Sequence, residues 1–112
     1  MGSVTGDLDR TFAALADPAR REILDRVSRA PASASQLAEP LHMTLTGVLK
    51  HVRALEEARL VETFKQGRTR WCRISPRALD PAARWIDSRR QLWERRLDRF
   101  EQHVANTERP GR

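Results

Sequence analysis

Along the first sixty residues the apolar positions return every three or four places, the period of helices with one buried face. Leu8, Phe12, Leu15 and Ala16 share a face of a first helix over Leu8 to Ala16, with Asp7 placed to cap it. Asp17-Pro18 starts a second, because Asp accepts bonds from free helix N–H groups and Pro at the first helical position loses nothing by lacking its own. Ile23, Leu24 and Val27 face inward there, and Ala30-Pro31-Ala32 ends it. Ser33 with Gln36 three places on is a capping-box pattern for a short third helix through about Glu39, stopped by Pro40. Thr44 caps a fourth, to about Ala58, whose Leu45, Val48, Val52 and Leu55 form one stripe. Its opposite face carries Thr46, Gly47, Lys50, Arg53 and Glu57.

After Leu60 the period changes to two. Leu60 to Phe64 and Arg70 to Ile74 are short runs of β-branched and aromatic residues around Lys65-Gln66-Gly67-Arg68-Thr69, which reads as a β-hairpin. A short helix, a turn, a longer helix with a polar outer face and then a hairpin together make a winged helix-turn-helix, in which the longer helix enters the major groove of DNA. The predicted fold class is therefore mainly α with a small β-hairpin. Asp80-Pro81 opens the longest helix, to about Asn106. On it Ile86, Trp93, Leu97, Phe100 and Val104 form a coiled-coil-like stripe that Trp85 and Leu92 widen. So wide a stripe calls for a symmetric dimer through this helix and the first, with Leu8 and Phe12 contributing; the other reading folds it back over its own domain. The organisation expected is one domain over 1–112, with dimerisation helices at about 8–16 and 80–106 and a flexible tail at 107–112.

Composition narrows the picture. With 112 residues, 39% hydrophobic and 32% charged, the chain suits one folded domain rather than a multidomain enzyme or a disordered segment. No apolar run is long enough to span a membrane, and MGSVTGDLDR lacks the basic-then-apolar pattern of a signal peptide, so a cytoplasmic protein is expected. The single cysteine, Cys72, excludes an internal disulfide and a multi-cysteine zinc site. The net charge of +6 is unevenly spread: residues 63–79 hold Lys65, Arg68, Arg70, Arg73 and Arg77 and no acid. A clustered basic segment beside a polar helix face is the electrostatic footprint of a phosphate-binding surface, or by chance a charged loop.

The candidate chemistry follows. Thr44 and Thr46 near the helix N-terminus suit phosphates or base edges, and Lys50 and Arg53 suit phosphates or guanine. Gly47, costly inside a helix, leaves room for close approach to the duplex or relieves crowding within the protein. Arg68 and Arg70 suit an adjacent minor groove, and Lys65 and Arg73 suit phosphates. Cys72, next to Trp71 and between Arg70 and Arg73, is either a small apolar filler or a thiol activated by its basic neighbours.

The run Phe12-Ala13-Ala14-Leu15-Ala16-Asp17-Pro18-Ala19-Arg20-Arg21-Glu22-Ile23-Leu24 resembles the opening of ArsR-type winged-helix repressors. Met43 to Val61 (MTLTGVLKHVRALEEARLV) is similar to that family's recognition helix and the start of its wing, and the likeness continues through Gly67-Arg68 and the last helix, over about residues 8–105. The branch that looks nearest lacks the metal-binding cysteines. The resemblance implies a homodimeric bacterial transcription regulator, usually a repressor that also controls its own promoter from an inverted-repeat operator. His51 matches a recognition-helix position, which implies a phosphate bond, with a bond inside the domain as the alternative; His42 and His103 are expected at the surface or an interface.

The departures are specific. Ser35-Gln36-Leu37-Ala38-Glu39-Pro40 has no cysteine where metal-sensing members carry them, Asp87 is followed two places on by Arg89, and His103 three places on by Asn106. No metal and no cofactor are expected. Leu49 stands where the family is usually polar or basic; it either packs or contacts a thymine methyl. Arg59 replaces the usual helix-ending Gly.

The rival from another class is a winged helix used for protein contact, its basic wing on an acidic partner. An enzyme is the weakest reading, because no Ser-His-Asp or Cys-His pattern and no phosphate-cradling glycine loop is present. A small-molecule inducer is open to a regulator of this kind, but no residue pattern marks its site.

Overall fold

The computed structural model describes residues 4–108, which divide into two compact units, one ending at Asp80 and one beginning at Pro81. The first contains α1 (Val4–Leu15), α2 (Pro18–Arg29), β1 (Ala32–Ser33), α3 (Ala34–Leu41), α4 (Leu45–Glu57), β2 (Val61–Gln66) and β3 (Thr69–Ile74). Helix α1 begins before the predicted cap, so Asp7 lies in its first turn and accepts, through its carbonyl, the hydroxyl bond of buried Thr11. Helix α2 starts as its Asp-Pro pair dictates: the Asp17 carboxylate accepts from the backbone N–H groups of Ala19 at 2.8 Å and Arg20 at 3.2 Å. The Arg20 N–H is the main reason its pKa lies below the ordinary value.

Helix α3 has the capping box, with Ser33 and Gln36 bonded reciprocally. It runs past Pro40 to Leu41, contrary to the expected stop. In so short a helix the ring removes a single N–H from the last turn, and the ending is imposed two residues later. There His42 turns left-handed (φ 54), its N–H bonding Glu39 and that of Met43 bonding Ala38, which is a Schellman ending. Helix α4 is capped by Thr44 and closes the same way at Arg59 (φ 62), whose N–H bonds Glu56 while that of Leu60 bonds Leu55. The sequence departs from Gly at this site without departing from the conformation.

At the tip β2 runs two residues, to Gln66, and β3 one residue, from Thr69, beyond what the pattern implied. Gln66 pairs with Thr69, leaving a two-residue turn of Gly67 and Arg68. Gly67, first in the turn and at φ 65, takes the position of a II′ hairpin turn that disfavours other residues. Strand β1, too short to be legible beforehand, pairs with β3 through Ala32↔Cys72 and Ser33↔Trp71, completing a three-stranded antiparallel sheet of order β1-β3-β2. The core gathers Ile23, Leu24 and Val27 of α2, Leu37 of α3, Val48, Val52 and Leu55 of α4, and Leu60, Val61 and Cys72. Leu45, predicted in the same stripe, is 50% exposed. It is the first residue of α4, beyond the part of the helix that its neighbours cover.

The second unit is the remainder of α5 (Asp80–Glu108). Thr107 and Glu108 extend the helix into the predicted tail, whose other residues, 109–112, lie outside the described residues. On α5 Ile86, Trp93, Leu97 and Phe100 are exposed, Phe100 to 64%, while Leu92 and Val104 are half-buried. Trp85 carries the Arg89 guanidinium over its ring at 4.9 Å. Of the α1 residues predicted at an interface, Leu8 is half-buried and Phe12 is 36% exposed. No helix among the described residues is long and apolar enough to cross a membrane.

Candidate nucleic-acid interface

Helix α4 buries Val48, Val52 and Leu55 and so turns Thr46, Lys50 and Arg53 outward, all exposed. Thr44 precedes them as the cap, its hydroxyl accepting the Gly47 N–H at 3.0 Å. The same hydroxyl explains the glycine: a Cβ at position 47 would lie 3.2 Å from Thr44 Oγ1 and 3.5 Å from Met43 Cε. Crowding at the cap therefore supplies a structural reason for Gly47.

His51 points to the side of this face. Its Nδ1 accepts from Arg20 Nε on α2 at 3.2 Å. Of its two readings, the bond within the domain is present. An imidazole accepting at Nδ1 in its neutral form carries its proton on Nε2, so that nitrogen keeps a donor for a phosphate. Arg20, which no sequence pattern singled out, fixes that tautomer.

The wing basics divide by strand alternation. Lys65 and Arg70 are directly opposite each other on one face of the hairpin, both exposed. Like charges in that relation cost stability unless an anion lies between them. Arg68 is exposed in the turn beside them. Arg70 donates to Thr63 Oγ1 at 3.1 Å, and Thr63 in turn donates to the Glu56 carboxylate at 2.6 Å. This relay ties the last turn of α4 to the wing, and neither Glu56 nor Thr63 was anticipated. Arg73 is on the other face, opposite Glu62, bonded to it at 3.3 Å and lying 4.9 Å over the Phe64 ring. It is thereby separated from Lys65 and Arg70, with which the sequence had grouped it.

Between α4, the start of α3 and the wing runs an open cleft of about 570 Å³, lined by Leu45, Leu49, Arg53, Thr63, Arg68 and Arg70 among others. Three arginines thus border one concavity, and among the described residues that line it Glu56 is the one acid.

Cys72 is buried, and desolvation followed by the nearby Glu56 charge pushes its thiol up to about 11. The activated-thiol alternative is overturned. Arg73 lies on the opposite face of β3, paired with Glu62, and burial is the dominant influence on the thiol. Among the described residues no three or more His, Cys, Asp or Glu side chains come together as a metal site.

A recognition helix with a polar, basic outer face and a basic β-hairpin bonded to its end define a winged helix-turn-helix DNA-binding regulator. Comparison with known proteins agrees. A family model described as a helix-turn-helix domain matches residues 15–63. The chain is 32% identical over 96 residues to the HTH-type transcriptional regulator Rv2034 of Mycobacterium tuberculosis, covering 86% of this chain and 87% of the relative. It is 40% identical to the crystal structure of an ArsR family transcriptional regulator, RHA00566, at a TM-score of 0.76, covering 84% of this chain and 97% of that one. At 26% identity and a TM-score of 0.62, it also resembles the homodimeric winged helix-turn-helix DNA-binding domain Mb0332 of Mycobacterium bovis, over 77% of this chain and 82% of that one. The chain belongs to the ArsR family of transcriptional regulators. That family consists of DNA-binding regulators, not enzymes.

Proposed function

We propose that this protein is a cytoplasmic homodimeric repressor that binds an inverted-repeat operator, including one in its own promoter, as a single DNA-binding domain with dimerisation helices. Each subunit sets α4 into a major-groove half-site, the two roughly one helical turn apart, and lays its wing along the flank. Thr44, Thr46, Lys50, Arg53 and Nε2 of His51 are its contacts from α4, with Gly47 serving the cap. Lys65, Arg68 and Arg70 are its contacts from the wing, and Arg73 reaches phosphate only from the far side of the hairpin. The observation that carries the reading is the concave border of Arg53, Arg68 and Arg70 around one cleft, with Lys65 opposite Arg70. Strand and helix meet there around a space that a phosphate backbone fills.

Dimerisation is supported by the exposed apolar run Ile86, Trp93, Leu97 and Phe100 on α5, and by the homodimeric state of the Mb0332 domain. To it the sequence pattern adds Trp85 and Val104 of α5 and Leu8 and Phe12 of α1. Docking on an acidic protein is not favoured, given the family. A mobility-shift titration against DNA from upstream of its own gene, with an unrelated fragment as competitor, tests the proposal. A selective shift by a dimer supports it; equal retention of both fragments would exclude an operator-specific regulator.

A further inference from the structure

On α4 Val48, Val52 and Leu55 are buried, but Leu45 is 50% and Leu49 39% exposed. The two are four residues apart, hence stacked one turn above the other on the helix surface. Both line the cleft that Arg53, Arg68 and Arg70 border, and both lie in the N-terminal half of the helix, the part that reaches base edges when such a helix enters the major groove. An aliphatic pair left in water gains nothing, and a rim of arginines is a poor setting for an apolar protein surface. It suits DNA, where the one apolar group projecting into the major groove is the C5-methyl of thymine.

We infer that Leu45 and Leu49 are specificity-determining residues that read thymine methyl groups in each half-site. The inference rests on the operator-binding reading above and adds the base type selected. Burying one methyl between two leucines is worth about a fourfold gain in affinity.

The experiment is a thymine-to-uracil scan of the bound fragment, which deletes one methyl at a time and preserves base pairing. The native protein and the Leu49→Ala and Leu45→Ala variants are compared by titration. The side chains are partly exposed, so the variants fold, which a thermal melt checks. The expected result is that uracil at one or two positions per half-site weakens native binding about fourfold per methyl, while at least one variant binds the thymine operator correspondingly less well and no longer distinguishes uracil there. Selective native binding that is indifferent to uracil at every position would overturn the inference and leave the operator reading standing. So would variants that keep the full uracil penalty. Absence of selective native binding would instead overturn the operator reading itself.

Discussion

The hydroxyl of Thr63 on β2 donates to the carboxylate of Glu56 on α4 at 2.6 Å. Because Arg70 donates to the same hydroxyl at 3.1 Å, one small side chain sets the position of the wing arginine relative to the recognition helix. The two elements proposed to meet DNA are thus joined by side-chain bonds as well as by the turn at Ala58 to Leu60. Thr63→Val keeps the shape and removes both bonds. Since they are exposed, stability should fall by less than about 1 kcal/mol. DNA affinity should fall roughly three- to tenfold through loss of a positioned phosphate contact. A melt and a binding titration on the same sample separate the two effects; equal affinity would mean that Arg70 needs no such support.

Arg59 ends α4 in the left-handed region at φ 62, a conformation that costs a residue with a Cβ about 1 kcal/mol. It is exposed, and its backbone N–H donates to the carbonyl of Glu56. Arg59→Gly should raise the unfolding midpoint by several degrees, on the scale of about 4–8 °C per kcal/mol for a domain this small. A lower midpoint would show that the guanidinium contributes more than the strain costs.

Burial raises the Cys72 thiol to about 11 from its usual 9.0. Between those values the unfolded chain ionises while the folded one holds its proton, so the unfolded state binds fewer protons and stability falls as pH rises from 9 toward 11. Cys72→Ala should flatten that part of the pH profile. At neutral pH the native thiol should react with a disulfide reagent only upon opening of the fold, at a small fraction of the rate in denaturant. Rapid native reaction would contradict the burial.

Much of this was legible beforehand, for local reasons. Asp17-Pro18, the Ser33–Gln36 box and the Thr44 cap are local hydrogen-bonding devices, and each acts where its spacing places it. Pro40 is a misleading stop signal, because the left-handed turn at His42 and not the ring ends the helix. The outward face of α4 followed from helical period. Leu45 did not, since period assigns a direction but not whether anything stands there to cover it. The wing's basic cluster was visible as composition, yet its division into Lys65 and Arg70 on one face and Arg73 on the other depended on register. The relay through Thr63, the Arg20–His51 bond and the raised Cys72 pKa all join residues distant in sequence or on different elements, which no local pattern encodes.

The central claim is that the outer face of α4 and the wing hold DNA together. The most direct test is the salt dependence of operator binding by the native protein and by Lys50→Ala and Arg53→Ala, with oligomeric state followed by sedimentation. The account predicts unchanged assembly, weaker binding, and a logarithmic salt slope reduced by about one for each phosphate contact removed. Native affinity and slope in both variants would contradict it.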